Sequence, residues 1–520
     1  MAQQTTPPQG PCPSTVRVRM YQVGFGDAFL LSFEYDQKLD DGRDRRHVLI
    51  DFGSTSAPQS PRKLDSIARQ IRNHTASEQD IGADTGGELD VVVVTHRHKD
   101  HLSAFASPAI AETLCKPGFP KLVVRSWTEN PRAARRATGD VPAIAGRGRA
   151  VAGQSMAFVR SLDAADQFAQ DLAHKLGAVG RGSRSLAAEV KQIAEDQISN
   201  AAAVAQLEKW AAAGRASYAH YGLASGIEEV VPGIGVKVLG PPTIDQHPGV
   251  LTQRRGDASE FWMIYSGILQ RLRAHDLGAG AKPGTDLGSL ALGADGDQIS
   301  AAVNGGTQPG ADEPPAPSQH VGPVGPVRWL TDRMARQQLN SLLRIVRTLD
   351  GVLNNTSVIL LFEVRRPDGE IARLLFPGDA QIENWEYALK YAPDAAANRD
   401  ALRQVDLYKV GHHGSRNATP RTLYNLWTEP QTRDRPLVAM MSTKPGVHGR
   451  SPSTFVPRKT LVAALDTRTG GRLYSSHILS GTRPFTELEI DLTTTSGFTE
   501  VGTTHPPTSP ASEPDHTTSE

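Results

Sequence analysis

The sequence predicts an α/β fold, and three observations carry that expectation. Short β-branched and aromatic runs bounded by Gly and Asp recur toward both ends of the chain, the pattern of strands. Between them, from about residue 131 to 222, the composition turns Ala-rich with apolar residues at helical spacing. One run, Leu89-Asp-Val-Val-Val-Val94, is apolar enough for a strand covered on both faces, as in sheets with helices packed on them. The 520 residues are 38% hydrophobic and 22% charged, so a sizeable core is available and disorder of the whole chain is excluded.

Residues 1–14 are Gln/Pro/Thr-rich and are expected to be disordered. Strands are then expected in VRVRMYQV from Val16, AFLLSFEY from Ala28, HVLIDF from His47, the valine run, and KLVVRSW from Lys121, giving a first half over 15–130. A helical insertion over 131–225 follows, broken by GAVGRGSR. Segment 226–350 holds the strand Gly233–Pro242, a long Gly/Pro/Asp/Ala-rich loop from Asp276 to Val327, and a helix from Met334 to Leu349. The second half, 351–492, returns to strands in SVILLFEV, IARLLFPG, VDLYKVG and PLVAMMST. A Thr/Ser/Pro/Glu-rich tail, 493–520, is expected to be disordered.

Lys+Arg and Asp+Glu both number 56, which excludes a protein that binds nucleic acid or membrane surface through global charge. Two cysteines, Cys12 and Cys115, exclude a disulfide scaffold and a cysteine zinc site. No apolar run reaches the roughly 18 residues of a spanning helix, and MAQQTTPPQGPCP lacks a basic-then-apolar signal pattern. A cytoplasmic protein without a membrane partner is expected.

The chemistry concentrates directly after the valine strand, in Thr95-His96-Arg97-His98-Lys99-Asp100-His101. Imidazole suits zinc and similar metals, and Asp adds a hard oxygen. His96 and His98, two apart, project to one side of an extended segment. Asp100 and His101 lie one tight turn further on and can face a second ion. A solvated His-rich loop is the plain alternative, but four such groups straight after a strand form a much more specific pattern than any one alone.

This H-x-H-x-D-H element resembles the signature of the metallo-β-lactamase superfamily, which implies an αββα sandwich, here with a helical insertion, and two divalent metal ions, zinc or manganese. Other segments occur in the family's order. His47-Val-Leu-Ile-Asp51-Phe-Gly53 resembles the early strand whose Asp holds a ligand histidine by its other nitrogen. Leu374-Leu-Phe-Pro-Gly378-Asp379 resembles the strand-Gly-Asp element whose carboxylate bridges the metals. Val23-Gly-Phe-Gly-Asp27-Ala, Asn354-Asn355-Thr-Ser357 and Lys409-Val-Gly-His412-His413-Gly-Ser415 are similar to the soluble hydrolase domain of ComEC-type competence proteins and to phosphorylcholine esterase-like members. The similar segments span about 16–127, 233–242 and 353–465.

By this resemblance the metal ligands are His96, His98, Asp100, His101 and Asp379 with His412 or His413, and the groups in the chemistry are Asp100, His413 and His448. Asn354 stands where many members place a histidine; as a poor zinc ligand it favours weaker binding beside His96 and His98, or a harder ion. The implied activity is a phosphodiesterase or nuclease using a dimetal-bridged hydroxide, with a phosphodiester or nucleic acid as substrate. Arg132, Arg135, Arg136, Arg147, Arg149, Arg181 and Arg184 flank the inserted helices and could hold phosphates. The fold alone also admits a carboxylic ester, thioester or lactam hydrolase, or a binding module without catalysis. The Ala-rich helices also suit a partner or oligomer surface.

Overall fold

Strand runs from the two halves of the chain assemble into two mixed sheets. The structure, a computed structural model, describes residues 10–56, 63–77, 85–130, 201–251, 260, 353–432, 434–447, 455–479 and 484–501. The expectations for 131–200, for the loop 276–327, for the helix 334–349 and for His448 lie outside these residues. The described residues belong to one unit built from 1–263 and 338–520.

The first sheet contains β1 (Thr15–Tyr21), β2 (Ala28–Glu34), β3 (Arg45–Phe52), β4 (Val91–Val94), β5 (Leu122–Ser126), β6 (Arg215–Ala219), β13 (Phe485–Asp491) and β14 (Thr499–Glu500), in the order β14-β13-β1-β2-β3-β4-β5-β6. The second contains β7 (Ile234–Gly240), β8 (Ile359–Arg365), β9 (Ile371–Phe376), β10 (Leu407–Lys409), β11 (Val438–Met441) and β12 (Leu473–Ser475), in the order β12-β11-β10-β9-β8-β7. Strands β3 to β6 run parallel, as do β9 to β12; the remaining pairs are antiparallel.

The period-2 alternation of side chains decides the layering. Val16, Val18, Phe29, Phe33, Val91 and Val93 of one sheet join Leu360, Phe362, Leu374, Phe376, Leu407 and Met440 of the other in a single core. Phe29 meets Phe376 edge-on at 5.8 Å, and Phe33 lies 6.2 Å from Phe362. Each fully buried Phe contributes roughly 1.5–3 kcal/mol, whereas an exposed ion pair contributes at most about 1 kcal/mol. This core therefore sets the pairing of the sheets. The outer face of the first sheet, including Leu30, Leu49, Val92 and Val94, packs with α1 (Leu64–Thr75), α2 (Lys99–Leu102), α3 (Pro108–Leu114) and α4 (Ala201–Ala213). The outer face of the second packs with α5 (Ile382–Glu386), α6 (Ala395–Arg403), α7 (Arg421–Tyr424) and α8 (Lys459–Thr469). The valine strand β4 is covered on both faces, as its composition predicts.

Four segments depart from the expected organisation. Strand β6 lies within the block expected to be helical: after α4 the chain returns as Arg215–Ala219 to extend the parallel run beside β5. Strand β13, assigned by sequence to the second half, crosses back and pairs with β1, Val18 opposite Leu488. The expected disorder of 493–520 does not extend to its first residues, since β14 pairs with β13 and the Val501 N–H donates to Glu487 O at 2.9 Å. Likewise Ser14, in the segment expected to be disordered, is fixed between Glu34 O and the Leu492 N–H. Trp127 and Trp210 are buried and belong to the core, Trp210 edge-on to Phe105 at 5.7 Å.

Candidate metal centre

Loops that follow β3, β4, β9, β10 and β11 converge, the usual place for function in α/β sheets being the carboxyl ends of strands. Two close backbone approaches make this convergence dense. A Cβ on Gly53 would lie 2.5 Å from both the Leu102 nitrogen and the Lys99 oxygen, so only glycine lets the turn after β3 rest on α2. Gly378 has φ +55°, and a Cβ there would lie 2.7 Å from Thr95 Cβ. It turns the chain after β9 tightly against the end of β4.

At the meeting point four buried groups, Asp100, His101, Asp379 and His413, bring ligand atoms within 4.8 Å of one another, and such a set can hold a metal ion. Asp379 Oδ2 lies 3.1 Å from His101 Nε2 and 3.5 Å from His413 Nε2. Asp100 Oδ2 lies 3.0 Å from His413 Nε2, and its Oδ1 lies 3.9 Å from His101 Nε2.

The opposite nitrogens of these imidazoles decide which atoms face the cluster. His101 Nδ1 donates to Asp51 Oδ2 at 2.8 Å, and His413 Nδ1 donates to the Ser442 carbonyl at 3.0 Å. With Nδ1–H committed, a neutral ring offers its lone pair at Nε2, the arrangement of a metal ligand. Asp51 has φ 57° and also accepts from the Thr95 N–H (2.7 Å) and Oγ1 (2.8 Å). It ties the end of β3 to the start of the histidine loop.

His96 and His98 lie beside this set. Thr95 Oγ1 donates to Asp51 and so accepts from His96 Nδ1 at 3.2 Å, leaving His96 Nε2 turned to His98 Nδ1 at 2.9 Å. Asn354 is buried, and its Oδ1 has no hydrogen-bond partner among the described residues. Its Nδ2 is 3.4 Å from His412 Nε2.

The paired histidines separate cleanly. His412 and His413 both have left-handed backbone, φ 44° and 52°, a conformation that costs roughly 1–2 kcal/mol per non-glycine residue. The reversal drives the rings 6.5 Å apart. His413 is buried; His412 is only half-buried. Ser415 Oγ donates to Asn417 Oδ1 (2.8 Å), so it accepts from His412 Nδ1 (2.8 Å), and His412 Nε2 accepts from Asn354. Of the two histidines that the resemblance offered as ligands, His413 joins the cluster and His412 does not. His413, expected among the groups in the chemistry, is buried with Nδ1 on the Ser442 carbonyl and Nε2 on Asp100, the placing of a ligand and not of a group that meets substrate. The Ser415 hydroxyl holds His412 from the far side of the ring.

The charges follow the contacts. Burial works against a charged His101, but Asp379, Asp51 and Asp100 override it and hold its pKa well above the ordinary 6.5. His413 is raised in the same way against its burial, by Asp379, Asp27 and Asp100. Burial favours the charged form of neither Asp100 nor Asp379, yet His101 and His413 keep both carboxyls well below their usual range. His96 and His98 go the other way: burial pushes His96 well below 6.5 and His98 down to about 4.

A pH dependence follows. Without metal, His101 and His413 keep their second protons to higher pH than a free imidazole, and a cation must displace them, so uptake should release protons and weaken as pH falls. The sign for metal-free stability is opposite. Raised histidines stabilise the fold fully below 6.5, and that contribution is lost as pH rises through their folded values. Calorimetric titration with Zn²⁺ in buffers of different ionisation enthalpy measures the released protons. A heat independent of buffer would remove His101 and His413 from the ligand set.

Three neighbours stand in motifs quoted from the sequence but were given no role there. Lys409 is buried, its Nζ paired with Asp27 Oδ2 and 3.5 Å from Asp379 Oδ1. Asp27, named above only as part of Val23-Gly-Phe-Gly-Asp27-Ala, lies 3.6 Å from Nδ1 of both His101 and His413. The Phe25 ring centroid is 4.4 Å from that of His413. A lysine inside the otherwise uncharged run Leu407-Tyr-Lys-Val-Gly411 was a local hint of Lys409. The seven arginines proposed for phosphate binding lie outside the described residues. Among the described residues no helix is long and apolar enough to cross a membrane. No protein-family model matches the chain, and neither a curated protein nor a solved structure matches it.

Proposed function

We propose that this chain is a metal-dependent hydrolase on the αββα sandwich of the metallo-β-lactamase superfamily, acting on phosphodiesters. The observation that supports it most is the buried convergence of Asp100, His101, Asp379 and His413 from both halves of the chain. These four would hold one cation. His96 and His98, with the orphaned Asn354 Oδ1, would hold a second more weakly, because a carboxamide oxygen suits a hard ion such as Mn²⁺ better than zinc. Bound there, divalent cations supply water activation and take up negative charge on the substrate oxygen.

The protein's own groups then divide the work. Asp100 and Asp379 span the two imidazoles, and Asp51 and the Ser442 carbonyl keep both Nε2 atoms facing inward. His412, half-buried and outside the four-residue cluster, has a fixed Nδ1–H, and its Nε2, held only by a long 3.4 Å contact from Asn354 Nδ2, would take up or return a proton at the leaving group by giving up that contact. Lys444, two residues after Ser442, puts a cation on the loop following β11, its Nζ 2.9 Å from Ser56 Oγ. That cation and the ComEC-like motifs favour a phosphodiester over a neutral acyl substrate.

The test is hydrolysis of bis-p-nitrophenyl phosphate, single-stranded DNA and a chromogenic β-lactam by protein reconstituted with Mn²⁺ or Zn²⁺, with Asp379→Ala as the blank. Phosphodiester cleavage that disappears in the blank is expected. Cleavage of the lactam alone would move the protein to acyl substrates, and failure to take up metal would overturn the reading.

A further inference from the structure

We propose that the Lys409–Asp27 ion pair is a built-in counter-charge for the acidic centre: it lets the fold stand without metal and sets how tightly the centre holds a cation. The inference rests on the metal-site reading above. Asp27, Asp51, Asp100 and Asp379 are all buried within one small region. Four carboxylates so close repel one another unless cations are interleaved.

Among the described residues Lys409 is the only buried lysine. It stands on β10, where Leu407 faces the other sheet and Tyr408 faces the helices, so alternation turns Lys409 into the space between the sheets. From there its Nζ crosses to Asp27, on the turn between β1 and β2 of the opposite sheet. The same Nζ donates to the Gly378 carbonyl at 3.1 Å and faces Asp379 Oδ1 at 3.5 Å. It thus touches the backbone that carries Asp379 and the side of that carboxylate turned away from His101.

Asp27 completes the arrangement from the rear. Its carboxylate lies 3.6 Å from Nδ1 of both imidazoles whose Nε2 atoms enter the ligand set. Its backbone N–H donates to Asp100 O at 3.0 Å, and its carbonyl accepts from the Gly53 N–H at 3.1 Å. The pair therefore sits behind the ligands and takes no position among them. Its net charge is zero, but its two halves act on a bound cation with opposite sign.

That sign difference separates a counter-charge from a plain structural link. Lys409→Met removes a positive charge and leaves Asp27 to add negative field, so Zn²⁺ and Mn²⁺ should bind about tenfold or more tightly. Asp27→Asn leaves the lysine uncompensated, so both ions should bind about tenfold or more weakly. The double variant Asp27→Asn/Lys409→Met should return to within about threefold of the parent. In parallel, Lys409→Met should lower the melting temperature of the metal-free protein far more than that of the metal-loaded protein.

The measurement is chelator competition with Zn²⁺ and with Mn²⁺ on the full chain, with melting curves for each loaded and metal-free form. Opposite shifts that cancel in the double variant would establish the counter-charge. Weakening in both single variants, or equal melting losses with and without metal, would reduce the pair to a structural link and overturn the proposal. Should Lys409→Met fail to fold without metal, Asp27→Asn and the double variant still decide the sign. If the parent protein itself binds neither ion, the metal-site reading fails, and not this inference alone.

Discussion

Asp379→Ala is expected to abolish metal binding at the four-ligand cluster, and with it all hydrolysis, while the fold stays in place. Asp379 Oδ2 is the oxygen that meets both imidazoles, 3.1 Å from His101 Nε2 and 3.5 Å from His413 Nε2. Its Oδ1 accepts the His412 N–H at 3.0 Å and faces Lys409. Asp100 cannot replace it, because Asp100 approaches His101 only to 3.9 Å. Groups that merely orient a ligand lower metal affinity by about 10–100-fold when removed, so loss of the ligand itself should exceed about 100-fold. The fold should survive because Asp379 belongs to none of the three apolar cores, and Lys409 keeps Asp27 as its partner. Asp379→Asn is the control for shape: its carbonyl can still accept the His412 N–H, but it lacks the charge. Metal content after dialysis, circular dichroism and initial rates, taken together, decide the matter. Full activity in either variant would sink the metal mechanism, and metal retained with activity lost would move Asp379 from holding the ion to handling the substrate.

The parts of this centre that were legible in the sequence are those whose meaning is local. Four valines followed by T-H-R-H-K-D-H announce a buried strand and a ligand loop without any tertiary knowledge. Asp51 and Asp379 were legible in the same way, each at the end of an apolar run and within two residues of a glycine. What was not legible depends on contacts between distant segments. The division between His412 and His413 is made by two consecutive left-handed residues, which composition does not encode. Lys409 finds Asp27 only after the two sheets have stacked, so neither residue signals the other along the chain. Strand β13 escaped because its sequence, FTELEID, looks solvated. In the fold Glu487 is buried against Arg19, with Nε and Nη2 at 3.0 and 3.2 Å, so a charged pair occupies a position where a strand pattern would place apolar residues. Strand β6 escaped for another reason: Arg-Ala-Ser-Tyr-Ala has little strand character, and only its parallel pairing with β5 makes it one.

Replacing the two adjacent histidines one at a time should give opposite results, and this is the second large effect. His413→Asn is expected to lose metal by more than about 100-fold, since it removes a ligand and not a group that orients one. His412→Asn should keep its metal, because His412 Nδ1 and Nε2 are engaged with Ser415 and Asn354 and not with the cluster. Asparagine is the right replacement at both positions: it tolerates left-handed backbone better than most residues, so φ 44° and 52° are retained and the loop keeps its reversal. If His412 exchanges a proton with the leaving group, His412→Asn should lower the rate by about 10²–10⁴-fold, the range for a positioned acid or base. That loss should fall on substrates with a poor leaving group and largely spare p-nitrophenolate, which departs without a proton. Metal content measured beside rates on both kinds of substrate distinguishes the two histidines. Metal lost in His412→Asn and kept in His413→Asn would reverse their roles, and it would also displace Asn354 from its place beside the second position, because the two are joined through His412 Nε2. A uniform loss across substrates with metal retained would instead leave His412 a positioning residue for the turn that carries His413, acting through Ser415 and Asn417.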